Sequence, residues 1–202
     1  MPRTKEANQQ IRAEQREHIL DAALQIFARK GLDATIDEVA TEASISHGLA
    51  YRYFSSKEAL IQAVVKRVTM TDPLGLQSVL EMPGTPGERL TLLVSRLLAS
   101  RRDHPAFFQL INHLMDQMQN RAFVAEKQHE AFLKQSQDLF SVIRQLIVEG
   151  QATGEILAGN PDQLTTTLTA CLEGLTRQAA RDPEQFKRQC PDVEILLRLF
   201  KP

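Results

Sequence analysis

Tryptophan is absent from these 202 residues, and there are only two tyrosines and two cysteines. Cys171 and Cys190 cannot build the disulfide framework of a small secreted domain, and neither sits in a Cys-x-x-Cys pair suited to zinc or thiol exchange. They read as reduced thiols that behave as small hydrophobes. Long apolar runs are missing too, since none approaches the roughly 20 residues a membrane helix needs. Residues 1–18 are polar and mixed in charge, without the apolar centre of a signal peptide. The chain therefore reads as cytoplasmic, with no membrane partner. An excess of one charge is also lacking: 24 Lys+Arg stand against 25 Asp+Glu, a net charge of −1. The first 70 residues carry ten basic and nine acidic groups, and the rest carry 14 and 16. Bulk charge draws this protein to no nucleic acid, so any DNA-facing surface must arise from local placement.

Reactive constellations are equally scarce. Met82-Pro-Gly-Thr-Pro-Gly87 lacks the Gly-Lys-Ser/Thr ending of a phosphate loop and reads as a connection. His104, His113 and His129 have no metal-ligand spacing, and His129-Glu130 is not followed by a second histidine three residues on. No Ser/His/Asp, Cys/His or paired-carboxylate set has usable spacing. No catalytic residue, metal or cofactor is expected, which argues against a helical enzyme.

What the chain does have is helical periodicity. Hydrophobic residues make up 43%, enough at this length to bury a core without staples. They recur three and four apart, and β-branched runs are absent. From Arg12 to Lys30 the apolar face is Ile19, Ala23, Ile26 and Phe27, ended by Gly31. Thr35-Ile-Asp-Glu38 is a capping box opening a short helix to about Ala43. A second short helix is expected from His47 to Phe54. Ser55-Ser-Lys-Glu58 is a further capping box, opening a helix with Leu60, Ala63, Val64 and Val68 on one face. Thr71–Gly75 and Met82–Gly87 are turn-rich. Longer helices follow, carrying Leu90 to Leu98, Phe107 to Met118, Phe123 to Glu149, then about 161–181 behind an Asn160-Pro161 cap, and about 184–200. The expected class is all-α, with about nine helices, the short ones first and a bundle after them.

Two short helices joined by a tight turn suit the major groove, which admits one helix and meets its N-terminal residues. Here those residues are Ser46, His47 and Gly48, with glycine letting the backbone approach closely. Tyr51 and Tyr53 can offer a hydroxyl to phosphate and a ring face to sugar or thymine methyl. Lys57, in the next helix's first turn, can share a phosphate with that helix's N–H groups. Each tyrosine taken singly suits core packing as well as contact, and Phe54 reads as core. Spacing alone leaves both readings open.

The segment Ile19-Leu-Asp-Ala-Ala-Leu-Gln-Ile-Phe-Ala-Arg-Lys-Gly31, then Ala34-Thr-Ile-Asp-Glu-Val-Ala40, then Ile45-Ser-His-Gly-Leu-Ala-Tyr-Arg-Tyr-Phe-Ser-Ser-Lys-Glu-Ala-Leu60 closely resembles the tetracycline-repressor (TetR) family. The likeness covers about the first 65 residues; beyond them it is one of helical layout and of Gly154-Glu-Ile…Asn-Pro-Asp162. Ser44 stands where a turn glycine is common, and Ala50 where leucine is common. The resemblance implies a three-helix DNA-binding domain over 1–57 and a ligand-binding and dimerisation bundle over 58–202. It implies a one-component repressor that binds a palindromic double-stranded operator as a homodimer, paired through the last two helices and released by a small molecule. By the same resemblance Thr35 and Lys57 grip phosphates, Ser46, His47 and Gly48 approach bases or backbone, and Tyr51 and Tyr53 bind backbone and thymine methyls. Arg3, Lys5 and Arg12 stand where an arm could reach the minor groove, though a solvated arm fits them better. For the effector, Phe107, Phe108, His113, Met115, Met118, Phe132, Phe140, Thr167 and Cys171 are pocket candidates, rich enough in Phe and Met for an apolar or amphipathic ligand. Control by a protein partner or by no effector, and a lipid-binding protein without DNA binding, are the alternatives.

Overall fold

A computed structural model of the chain describes residues 5–70, 76–119 and 126–202, without the side chains of 5, 6, 8, 68–70, 77, 114–119, 126–133 and 135. Among the described residues there are eleven α-helices, one 3-10 turn and no strand. α1 (Lys5–Lys30) opens before Arg12, where the apolar pattern begins. Nothing between Pro2 and Gly31 breaks a helix, and Gln10 Nε2 donates to Glu14 across one turn, the spacing at which polar pairs support a helix. Gly31 ends it at φ 74°, left-handed backbone that costs glycine no Cβ clash.

α2 (Ile36–Glu42) opens with both halves of the expected capping box. Thr35 Oγ1 accepts from Glu38 N at 3.2 Å, and Glu38 Oε2 accepts from Thr35 N at 2.7 Å. α3 (His47–Tyr53) opens at Ser46, whose Oγ accepts from Leu49 N at 3.3 Å. The turn between them passes through Ser44 at φ 52°, a region that suits the glycine this chain lacks. Ser44 N to Thr41 O and Ile45 N to Ala40 O, both 3.0 Å, hold it there. α4 (Lys57–Met70) is capped by Ser56 rather than Ser55, through Ala59 N at 3.1 Å.

Beyond α4 come α5 (Leu76–Glu81), α6 (Pro86–Asp103), α7 (Pro105–Gln119), α8 (Glu126–Ala152), α9 (Pro161–Arg181), α10 (Pro183–Gln189) and α11 (Val193–Leu197), then the 3-10 turn Arg198–Phe200. The excess over nine has local causes. α5 is six residues long, too short to show a period. The helix expected over 184–200 breaks at Cys190-Pro191, because proline lacks an N–H and pushes the residue before it out of helical backbone; Cys190 sits at ψ 122°. α8 runs on past Gly150 to Ala152. Ile156 folds back over that glycine, where a Cβ would meet its Cδ1 at 2.6 Å. The expected opening of that helix at Phe123 lies outside the described residues. α6 has a capping box of its own, Thr85 with Glu88. Glu155, in the α8–α9 loop, ties that end down by accepting from Gly87 N at 3.2 Å and from the Thr85 hydroxyl.

Two apolar cores result. The first joins α1 to α4 through Ile19, Leu20, Phe27, Val39, Phe54 and Leu60, and takes in Leu110 and Ile111 of α7. The second fills the bundle with Leu93, Leu97, Ile143, Leu146, Leu168 and Leu172. At the seam, His113 Nε2 lies 3.1 Å from Ala28 O, and Arg67 on α4 pairs with Asp21 of α1 at 2.5 Å.

Candidate nucleic-acid interface

α3 rests on the first core through Ala50, 1% exposed, and presents its other face outward. Ser46, His47, Gly48, Tyr51 and Arg52 are exposed there. The Ser46 oxygen accepts from the backbone, which leaves its O–H to donate. Tyr51 is 50% exposed, whereas Tyr53 is half-buried against the first core. The two tyrosines thus divide between an open ring and a partly packed one. Phe54 is core, as expected, with the Arg16 guanidinium 5.3 Å from its ring centroid. Arg52 was not singled out by its spacing; its only signal is a basic residue on the same helix as Tyr51.

Gly48 has ordinary helical backbone, and a Cβ built there meets nothing within 4 Å. The fold itself therefore has no steric need of glycine, although glycine costs about 0.5–1 kcal/mol in a helix relative to alanine. Thr35 is exposed, but Glu38 already engages its hydroxyl, which donates to Glu38 Oε2 at 3.2 Å. Lys30 Nζ binds the same carboxylate at 2.6 Å. The Lys30 hydrogen bond, with those from Thr35, holds the Glu38 carboxyl down at about 2. Lys57 is half-exposed in the first turn of α4. On the exposed side, Asp37 Oδ1 of α2 stands 3.2 Å from His47 Nδ1 of α3, a pairing between helices that the sequence did not suggest.

The pocket candidates are dispersed. Phe107 lines a cavity of about 360 Å³ between α1, α4 and the α6–α7 junction, with Leu20, Leu24, Val64 and Arg67. His113 instead faces a groove with Arg29, Asn112 and Arg177, its ring engaged with Ala28 O. Phe108 is buried, edge-on to Phe107 at 4.9 Å between centroids. Phe140 and Cys171 are half-buried, and Thr167 is exposed on α9 with its hydroxyl bonded to Gln163 O. The side chains of Met115, Met118 and Phe132 lie outside the described residues. Arg101 was missed, although it continues the Leu90–Leu97 stripe. It is 6% exposed, donates to Thr176 Oγ1 and Leu97 O, and stacks 5.1 Å from the Phe108 centroid. Burial lowers its pKa to about 10, so it stays charged, and no acidic side chain pairs with it among the described residues. No described helix is long and apolar enough to cross a membrane.

Fold and exposed α3 face together define a helix-turn-helix regulatory protein. Comparison with known proteins narrows this. Residues 19–64 match the model of bacterial regulatory proteins of the tetR family, and residues 86–191 match the C-terminal model of BetI-type transcriptional repressors. The chain belongs to the TetR family of DNA-binding transcriptional regulators, which are not enzymes. It is similar to the HTH-type transcriptional regulator BetI of Brucella canis, with 31% identity over 81 residues, 40% of this chain and 41% of that one. The match thus spans well under half the length of that relative. Among solved structures, the ketosteroid transcriptional regulator KstR2 of Mycobacterium tuberculosis aligns with a TM-score of 0.73 at 17% identity, covering 93% of this chain and 95% of that one. A regulator from Saccharomonospora viridis in complex with choline aligns with a TM-score of 0.72 at 18% identity, covering 94% and 99%. These likenesses speak for the fold alone.

Proposed function

We propose that this protein is a repressor that binds a palindromic operator as a homodimer and is released by a small amphipathic effector. Gly48 carries the reading: a helical glycine that the fold does not need, on an exposed face, is accounted for by close approach of something outside the chain. Residues 1–57 serve as the DNA-binding domain. Ser46, His47 and Gly48 face the bases, and Tyr51, with Tyr53 at its edge, lies on the backbone. Lys57 and Thr35 face phosphates, Thr35 only by sharing its hydroxyl with Glu38. Residues 58–202 serve as the sensing and dimerisation bundle.

Self-association is supported by the outward side of α9, where Thr167, Ala170, Gly174 and Arg177 are exposed and a Cβ on Gly174 meets nothing within 4 Å. Ile195 and Leu199, each 64% exposed, are large apolar side chains that a lone subunit leaves in water. A dimer also meets the geometry of two half-sites about 34–36 Å apart. Release is then a population shift, with ligand favouring a spacing of the two α3 helices that no longer fits.

For the effector, the cavity edged by Phe107 offers a mainly apolar wall of Leu20, Leu24 and Val64, with Arg67 and Asp103 beside it, which suits an amphipathic ligand. Sedimentation velocity of the protein alone and with a selected duplex tests the assembly, the expected species being a dimer in both. A monomer on a single half-site refutes it. Loss of the DNA complex on adding an apolar or amphipathic compound from a ligand panel is the expected effector result; a complex that no such compound releases points instead to a protein partner or to no effector.

A further inference from the structure

We infer that Asp37 is a specificity-determining positioning residue, which fixes the tautomer in which His47 meets the base edges. The inference rests on the reading of α3 as the base-facing helix. Asp37 is in the first turn of α2 and His47 is the first residue of α3, and their side chains meet at 3.2 Å between Oδ1 and Nδ1. Both remain more than half exposed, at 53% and 60%. The pair is therefore no buried strut of the fold; it stands on the face turned away from the first core.

The chemistry of the contact sets the donor pattern. An ionised carboxylate only accepts, so the ring nitrogen it faces must carry the hydrogen. In a neutral imidazole one nitrogen donates and the other accepts. With Nδ1–H committed to Asp37, Nε2 is left as a bare acceptor. In the major groove only adenine N6 and cytosine N4 offer amino donors, whereas guanine N7 and O6 and thymine O4 are acceptors. His47 held in this way selects adenine or cytosine on the strand it faces, and Asp37 achieves that without touching DNA. Without the carboxylate, the imidazole is free to take either tautomer and to rotate, and the selection is lost. Asp37 also brings a negative charge near the phosphates, an effect that weakens all sequences alike and alters no base preference.

The test is selection of duplexes from random DNA at pH 8, above the ordinary imidazole pKa of about 6.5, using wild type and the variants His47→Ala, Asp37→Ala and Asp37→Asn. The position His47 reads is the one whose preference vanishes in His47→Ala. Wild type is expected to hold adenine or cytosine there, about fivefold over guanine, the worth of one hydrogen bond. In Asp37→Ala that preference falls to about twofold or less, and His47→Ala adds no further loss to it. Asp37→Asn, which removes the charge but keeps an accepting oxygen, retains the preference. An Asp37→Ala protein with altered affinity but unchanged preferences overturns the inference. So does guanine at the His47 position in wild type. If wild type selects an operator and His47→Ala shifts no position, the inference fails while the regulator reading stands. If wild type selects nothing, both fail.

Discussion

Replacing Gly48 is expected to move stability and DNA binding in opposite directions. The backbone at 48 is regular helix, and the space around a built Cβ is empty to 4 Å. Gly48→Ala should therefore recover part of the helix penalty of glycine, about 0.5–1 kcal/mol. For a chain of this size that raises Tm by about 1–4 °C, read by circular dichroism. Gly48→Leu adds four heavy atoms in the same open space and should melt no lower than wild type. On DNA the result reverses. Forcing extra bulk into a fitted contact costs about 1–3 kcal/mol, so the leucine variant should bind a selected operator at least about fivefold more weakly. Fluorescence anisotropy at fixed salt measures that loss. A leucine variant that is stable and binds as wild type would remove Gly48 from the interface, and with it the observation on which the proposal stands.

Lys57→Ala should weaken operator and random duplex alike, with the salt slope reduced by about 0.9. Between 50 and 200 mM salt the loss should then shrink about 3.5-fold; parallel slopes would show that Lys57 meets no phosphate. Glu38, held at about 2 against 4.5 in the free residue, contributes stability that is fully present above pH 4.5 and disappears as pH falls through 2. The Tm gap between wild type and Glu38→Gln should accordingly close across that window, and a gap independent of pH contradicts the Lys30 and Thr35 bonds. Ser44→Gly should relieve left-handed backbone at φ 52°, for a net gain of about 0.5 kcal/mol once the extra freedom of the unfolded glycine is subtracted. Ser44→Ala should show no gain, and equal melting of both variants would mean that the turn carries no strain.

The helix-turn-helix was legible because its signals are local. Thr35 with Glu38, Ser46 before the second short helix and Gly31 after α1 each act within one turn of chain, and each does in the structure what its spacing implies. The bundle was legible only as a set of apolar stripes. Its register depends on contacts between distant residues, such as Glu155 reaching back to Gly87 across the α8–α9 loop, and no short pattern encodes them. The break at Pro191 was not read from the sequence, because the apolar spacing of Val193, Leu196 and Phe200 by itself continues a helix. The pocket candidates fared unevenly for a physical reason: a phenylalanine on an apolar stripe looks the same whether it fills a core, as Phe108 does, or edges a cavity, as Phe107 does. Thr167 turned outward because it lies one turn beyond Gln163 on the exposed side of α9. Asp37 against His47 and Arg101 against Phe108 join residues 10 and 7 apart on different helices, beyond what periodicity within one helix can report.

That α3 reads a specific duplex can be put to the test by selection from random DNA at physiological salt with the wild-type protein. The expected outcome is an enriched inverted repeat whose half-sites lie about 10–10.5 base pairs apart, centre to centre, or a multiple of that. The enrichment should disappear for Gly48→Leu. Recovery of no preferred sequence, or of one that the leucine variant selects equally well, would contradict it.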